Sequence, residues 1–306
     1  MTVACVVCGG TAAERVGAGV DFEYHTCSNE FEFVACDGCG HVYLRNRPAE
    51  AELSTIYPDS YGNYAEGRER ALTFRVKNAL DRRRVRQLGA GGAPARVLDV
   101  GCADGRMLDV CRAVFPEALL HGIEISEAAG GAAAGKGYAV RIGTIDDIEV
   151  AEASYDLVFL QQVIEHVQAP DRVLVKLAAG LAPGGRLVID TPTTDCVDFS
   201  WFRRRYWGGY HIPRHFNLFS EGGLRRLCEA AGLRHVATRY TPQPIHWVWT
   251  LHHALADRGW PGWSHGWLNI ENPLAIGLCT GVELVAGVFT RRMSNLQLVV
   301  ERASSG

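Results

Sequence analysis

His166, His211 and His215 are the side chains of this chain best suited to moving a proton near neutral pH, because an unperturbed imidazole titrates at about 6.5. His166 follows Glu165 in Val163-Ile-Glu-His-Val167. His211 and His215 lie in Trp207-Gly-Gly-Tyr-His-Ile-Pro-Arg-His-Phe-Asn217. His211 is the preferred base, since Gly208-Gly209 beside it would let the segment carry a side chain toward a reacting group; His166 and His215 are the alternates. Each has a structural reading too. Glu165 would shape a helix N-terminus, and Arg214 and His215 would cap a helix starting near Ser220.

A second chemistry is written in thiols. Cys5-Val-Val-Cys8 and Cys36-Asp-Gly-Cys39 are two C-x-x-C pairs, each followed by glycine (Gly9, Gly40). Four thiolates close a tetrahedral zinc site, and the metal replaces the core that so short a segment cannot build. With Cys5, Cys8, Cys36 and Cys39 as ligands no coordination position stays open, so this zinc would be structural. Cys27, His25 and His41 are read as structural residues. Phe22-Glu-Tyr24, Phe31-Glu-Phe33 and His41-Val-Tyr-Leu44 alternate like short strands.

The elements that must position these groups begin with Ala95-Arg-Val-Leu-Asp-Val-Gly-Cys-Ala-Asp-Gly-Arg106, a buried strand, a glycine-lined turn and a helix start. His121-Gly-Ile-Glu-Ile-Ser126 follows one helix later and ends in a carboxylate. In a doubly wound α/β sheet the two together hold an adenosine cofactor. The rhythm continues through strands at Tyr138–Ile142, Tyr155–Leu160 and Arg186–Asp190, with further strands at 233–240 and 296–301. The last is expected antiparallel beside the sixth. Arg68 to Leu88 reads as a helix whose run Arg82–Arg86 is a solvated face. Residues 246–292 form a helical insertion rich in tryptophan. Its apolar run Pro273–Phe289 is short and contains Glu283, which argues against a membrane span. It is read as a helical lid, with core, substrate-pocket and membrane-surface roles all open, and as a candidate homo-oligomer surface.

Asp99-x-Gly101-x-Ala103-x-Gly105 resembles motif I of the class I S-adenosylmethionine-dependent methyltransferases. The acidic strand tip, Gly143-Thr-Ile-Asp-Asp-Ile148, Tyr155-Asp-Leu-Val158, Val163–Val167 and Leu181-Ala-Pro-Gly-Gly185 fall in that family's order. The resemblance covers roughly residues 68–302. It implies a seven-stranded Rossmann-like sheet with S-adenosylmethionine at its strand tips. Gly101 and Gly105 would form the cofactor turn and Glu124, next to Ile125, would hold the ribose. Asp147 and Ile148 would meet adenine, Asp99 would lie near the methionine amino group, and Gln161 and Gln162 would border the methionine portion. Tyr57, Tyr61 or Tyr64 would cap the cofactor. Glu165-His166 is similar to the end of an E-x-x-E-H motif that holds a divalent cation in some ubiquinone-pathway O-methyltransferases, but Gln162 replaces the first acid.

These readings combine into a division of the chain. A zinc ribbon spans 1–47 and a helical linker and cap 48–94. The methyltransferase core takes 95–245 and 293–306, with the lid at 246–292. A net charge of −3 gives no field that would draw nucleic acid or anionic lipid to the whole surface. The expected activity is methyl transfer to a small-molecule acceptor, foremost a hydroxyl of a natural product, sugar or lipid precursor. The alternatives are an rRNA or tRNA methyltransferase, which would join Arg82–Arg86 and Arg203–Arg205 in a basic stripe, and a non-catalytic cofactor-binding protein. Ten cysteines without a secretory leader point to a reducing cytoplasm.

Overall fold

The computed structural model describes residues 3–57, 72–89 and 92–303. Tyr61, Tyr64 and residues 68–71, invoked above, lie outside the described residues. The chain opens with β1 (Ala13–Gly19), β2 (Phe31–Cys36) and β3 (Val42–Leu44), an antiparallel ribbon. β1 was not anticipated, and Phe22–Tyr24 is a turn rather than a strand. Asp21 makes the turn: its Oδ1 accepts the Tyr24 N–H and its Oδ2 the Thr26 N–H, both at 3.0 Å. A side chain that satisfies nearby amides removes the need for a ladder partner.

After α1 (Leu53–Ile56) and α2 (Leu72–Leu88) the main sheet begins. Its parallel strands are β4 (Arg96–Val100), β5 (Leu119–Glu124), β6 (Ala139–Ile142), β7 (Tyr155–Gln161) and β8 (Leu181–Pro192). They alternate with α3 (Arg106–Val114), α4 (Glu127–Gly135) and α5 (Pro170–Gly180). Val97, Leu98, Val158, Leu160, Leu187 and Ile189 are wholly or almost wholly buried because helices cover both faces. α2 packs Val85 against Met107, Val110 and Cys111, and Arg82, Arg83 and Arg86 are exposed, the solvated face expected of that run.

Beyond β8 come α6 (Val197–Phe202), the two-residue β9 (Asn217–Leu218), α7 (Glu221–Ala230) and β10 (Leu233–Thr241). Then follow α8 (Pro244–Ala256), α9 (Gly262–His265), α10 (Pro273–Thr290) and β11 (Asn295–Arg302). The sheet order is β10-β11-β8-β7-β4-β5-β6, with β11 antiparallel to both neighbours, so the last strand slots in beside the sixth as the sequence implied.

The segment from 196 to 219, which contains the Gly208-Gly209 pair, is not the freely moving stretch expected of those glycines. Most of it is core. Phe199, Trp207, Tyr210, Ile212 and Phe216 pack with Phe31, Phe33 and Leu44 of the ribbon. β9 adds a fourth strand to the ribbon sheet by pairing with β3. Gly208 and Gly209 serve packing rather than freedom: a Cβ on Gly208 would meet the His246 carbonyl oxygen at 2.3 Å, and one on Gly209 the Trp207 ring at 2.4 Å. So many aromatics on one segment have more apolar area to hide than a loop can leave wet.

Candidate active site

The carboxyl ends of the parallel strands lie along one edge of the sheet, where open α/β sheets bind ligands in a cleft. Leaving β4, the chain turns through Gly101 (φ 75°) and Gly105 (φ 84°), left-handed conformations that cost glycine nothing. Glu124 at the end of β5 braces this turn, accepting the Ala103 N–H at 2.9 Å and the Ser126 N–H at 2.8 Å. Each carboxylate oxygen has a second lone pair to offer a ribose hydroxyl. Ile125 beside it is 68% exposed, an apolar surface at the cleft's rim. Asp99 is buried, which pushes its carboxyl up to about 7; the Arg106 guanidinium opposes that shift and Glu124 adds to it. A cationic amino group brought to Asp99 would favour its charged form. These features fit the amino acid and ribose ends of S-adenosylmethionine.

Asp147 is exposed and accepts the Thr144 hydroxyl at 2.6 Å, with Ile148 half-buried next to it. Gln161 and Gln162 turn away along the sheet. Gln161 donates to Asp190 at 3.3 Å and Gln162 to Asn295 at 2.9 Å, joining a buried amide–carboxylate network that includes Gln297.

The three histidines do meet. Ring centroids are 4.6 Å apart for His166 and His215, 5.0 Å for His211 and His215, and 6.0 Å for His166 and His211. His166 Nδ1 lies 3.1 Å from both the Arg214 carbonyl and the Tyr57 hydroxyl, and His215 Nδ1 lies 2.8 Å from the Gly209 carbonyl. A carbonyl only accepts, so both rings carry the Nδ1 proton. Burial lowers both pKa values, that of His166 to about 3, and keeps both rings neutral. Glu165 is fully buried, accepts the Thr191 hydroxyl at 2.9 Å and is pushed up to about 8, burial being the main cause. Its backbone carbonyl takes the N–H groups of Phe216 and Asn217, which fastens the two histidine-bearing segments together.

His211 is held differently. Its Nδ1 is 2.7 Å from Glu23 Oε2, a buried carboxylate delivered by the turn between β1 and β2. Burial would raise the Glu23 pKa, but His211, His253 and Arg214 hold it below the usual range. The same turn carries Asp21, which meets Arg214 at 3.1 Å with both side chains fully buried. Arg214 also donates to the Ile56 and Ile212 carbonyls and lies 4.3 Å from the centroid of the Tyr24 ring. It does not cap α7; Ser220 does, accepting the Gly223 N–H. Asp21 and Glu23 were missed because nothing local marks them. Their partners lie in a segment far along the chain, and the alternation of Phe22–Tyr24 masked the turn.

At the far end of the ribbon, Cys5 Sγ is 3.5 Å from Cys39 Sγ and Cys8 Sγ is 3.4 Å from Cys36 Sγ, and all four sulfurs lie within 4.8 Å of one another. A tetrahedron with metal–sulfur bonds of about 2.3 Å has edges of about 3.8 Å, so the residues fit a zinc ion. The two knuckles match: Gly9 N–H returns to the Cys5 carbonyl and Gly40 N–H to the Cys36 carbonyl, with φ of 74° and 71°.

The fold and cleft are those of a cofactor-binding α/β transferase, and comparison with known proteins gives the class. A family model for a methyltransferase domain matches residues 68–238, and the chain belongs to that family, the S-adenosylmethionine-dependent methyltransferases. Among similar proteins, the malonyl-[acyl-carrier protein] O-methyltransferase of Hahella chejuensis is 31% identical over 154 residues, 48% of this chain and 53% of that one. The ubiquinone biosynthesis O-methyltransferase of Xanthomonas axonopodis pv. citri is 29% identical over 113 residues, 32% of this chain and 44% of that one. The chain thus spans about half the length of these relatives or less. Among solved structures, the 1,6-didemethyltoxoflavin-N1-methyltransferase of Burkholderia thailandensis aligns over 90% of this chain and 96% of its own, with 17% identity and a TM-score of 0.53. The [4+2]-cyclase SpnF aligns over 78% and 86%, with 18% identity and a TM-score of 0.51. Both likenesses are of fold; the cyclase is a reminder that the reaction is set by the site.

Proposed function

We propose that this protein methylates a small-molecule acceptor, foremost at a hydroxyl oxygen of a natural product, sugar or lipid precursor, with His211 as general base and Glu23 as its positioning residue. The observation that carries this reading is the 2.7 Å contact between His211 Nδ1 and the buried Glu23 carboxylate, with the His166 and His215 rings beside it. Bound S-adenosylmethionine supplies an electrophilic methyl group. Glu23 accepts a hydrogen bond from the Nδ1–H of His211 and so leaves Nε2 as the basic nitrogen, which takes the hydroxyl proton as the oxygen gains its methyl. His166 and His215, neutral and locked by carbonyls, wall the site. Gly101, Gly105, Glu124, Ile125, Asp147, Ile148 and Asp99 are proposed to bind the cofactor, and the amides of Gln161 and Gln162 to stiffen the edge of its methionine portion. Cys5, Cys8, Cys36 and Cys39 are proposed to hold a structural zinc. All ten cysteines are free, which suits a reducing cytoplasm.

His211→Ala should cut kcat by roughly 10²–10⁴-fold, and Glu23→Gln by about ten- to a hundredfold, with the calorimetric affinity for S-adenosylmethionine unchanged in both. If alanine at 166, 211 and 215 in turn leaves the rate at saturating acceptor untouched, histidine base catalysis is wrong and the enzyme works on an acceptor that is already nucleophilic.

A further inference from the structure

We propose that the outer face of the helical insertion docks on an anionic lipid bilayer, with α10 lying in the interface. α10 packs on the protein through Ala275, Cys279, Glu283 and Gly287, one residue per turn and mostly small. Its bulky residues point outward: Leu274 is 79% exposed, Val288 76% and Phe289 83%, with Leu278, Val282 and Val285 exposed between them. A helix that belongs only to a water-soluble surface shows the opposite arrangement, bulky apolar residues inward and charge outward. Glu283 is the one acidic or basic residue of α10 and it is buried, so the outward face carries no charge at all.

Aromatic residues and charge around the face select the partner. Trp201, which lines one pocket with Thr290 and Arg292, and Trp267, whose carbonyl accepts from the Asn272 side chain at the start of α10, are exposed at the two ends of the helix, and Trp260 and Trp263 are exposed elsewhere in the insertion. Tryptophan's apolar ring and N–H favour the headgroup boundary of a bilayer. Arg203 and Arg204 lie two and three residues after Trp201, and Arg291 caps the C-terminus of α10. All three are exposed, and the nearby ion pairs among the described residues are made by Arg205 with Asp257 and Arg292 with Asp195 instead. Such a rim complements anionic headgroups.

The geometry also fixes how the helix lies. α10 is the one helix among the described residues long and apolar enough to cross a membrane. Glu283, however, accepts the N–H of Gln243 at 2.8 Å and of Ser294 at 2.7 Å. Those bonds tie the middle of α10 to both ends of the insertion, where β10 and β11 leave and rejoin the sheet. The helix therefore rests along the surface instead of threading the bilayer.

The test is flotation of the full chain with vesicles of phosphatidylcholine alone or phosphatidylcholine mixed with phosphatidylglycerol. Binding should favour the anionic vesicles by about tenfold or more and fall with added salt, and brominated lipid should quench tryptophan fluorescence. The double substitution Val288→Glu with Phe289→Glu, at exposed sites remote from the cleft, should abolish flotation while melting temperature and S-adenosylmethionine binding stay unchanged. Absence of flotation with anionic vesicles would overturn the proposal. So would a concentration-dependent dimer in sedimentation that the same double substitution breaks, because the face would then be covered by a second copy.

Discussion

Arg214 joins three distant parts of the chain through one guanidinium: the Asp21 turn, the Ile56 carbonyl of the linker and its own segment at Ile212. Burial alone would raise the Asp21 pKa. The Arg214 guanidinium, the Thr26 hydroxyl and the amides of Thr26 and Tyr24 outweigh burial and hold the carboxyl well below its ordinary range. A depressed carboxylate contributes stability that is fully present above its unfolded value, about 4, and is lost as pH falls toward the folded value. Asp21→Asn leaves a buried cation uncompensated and should cost about 3–5 kcal/mol at pH 7. Because the variant has no carboxylate to protonate, its stability should also depend less steeply on pH below 4. Denaturant unfolding at pH 7 and pH 3 checks both; equal stability of the two proteins at pH 7 would remove Asp21 from this role.

Among the elements, β1 and the 196–219 segment approach so closely that glycine becomes a packing requirement. A Cβ on Gly17 would meet the Arg203 carbonyl oxygen at 2.0 Å, and the Ala18 N–H donates to the Arg204 carbonyl at 3.1 Å. Gly208 lies equally tight against the backbone of His246, where no side chain can rotate out of the way. Gly208→Ala should therefore lower stability by about 1–3 kcal/mol, the range for overpacking, seen as a lower melting temperature. Gly222→Ala is the control, since no atom lies within 4 Å of its Cβ position. A glycine pair read as a hinge predicts the reverse, a variant unchanged in stability and slowed in turnover.

For the whole molecule, the cysteine knuckles and the turn that carries Asp21 and Glu23 belong to one ribbon, with β1 and β2 linking them. Zinc binding and folding are coupled in such sites. Metal analysis should find about one zinc per chain. Stripping it with a chelator, or Cys36→Ser, should lower the melting temperature and, by loosening the turn that carries Asp21 and Glu23, also lower kcat. A metal-free protein with full stability and full turnover would separate the ribbon from the active site.

The sequence by itself determined the sheet and the cofactor cleft. Their signals are local: a buried run, a glycine turn and an acid at a strand tip lie within a few residues of one another, and helix and strand periods put them in register. The four cysteines were legible for the same reason. Only the tertiary structure decided that the ribbon packs against the histidine-bearing segment. Asp21–Arg214, Glu23–His211 and β3–β9 each join residues remote in sequence, and no spacing rule relates such residues before the chain has folded. The outward face of α10 was hidden likewise, since composition records how apolar a helix is, while packing chooses which side the protein covers.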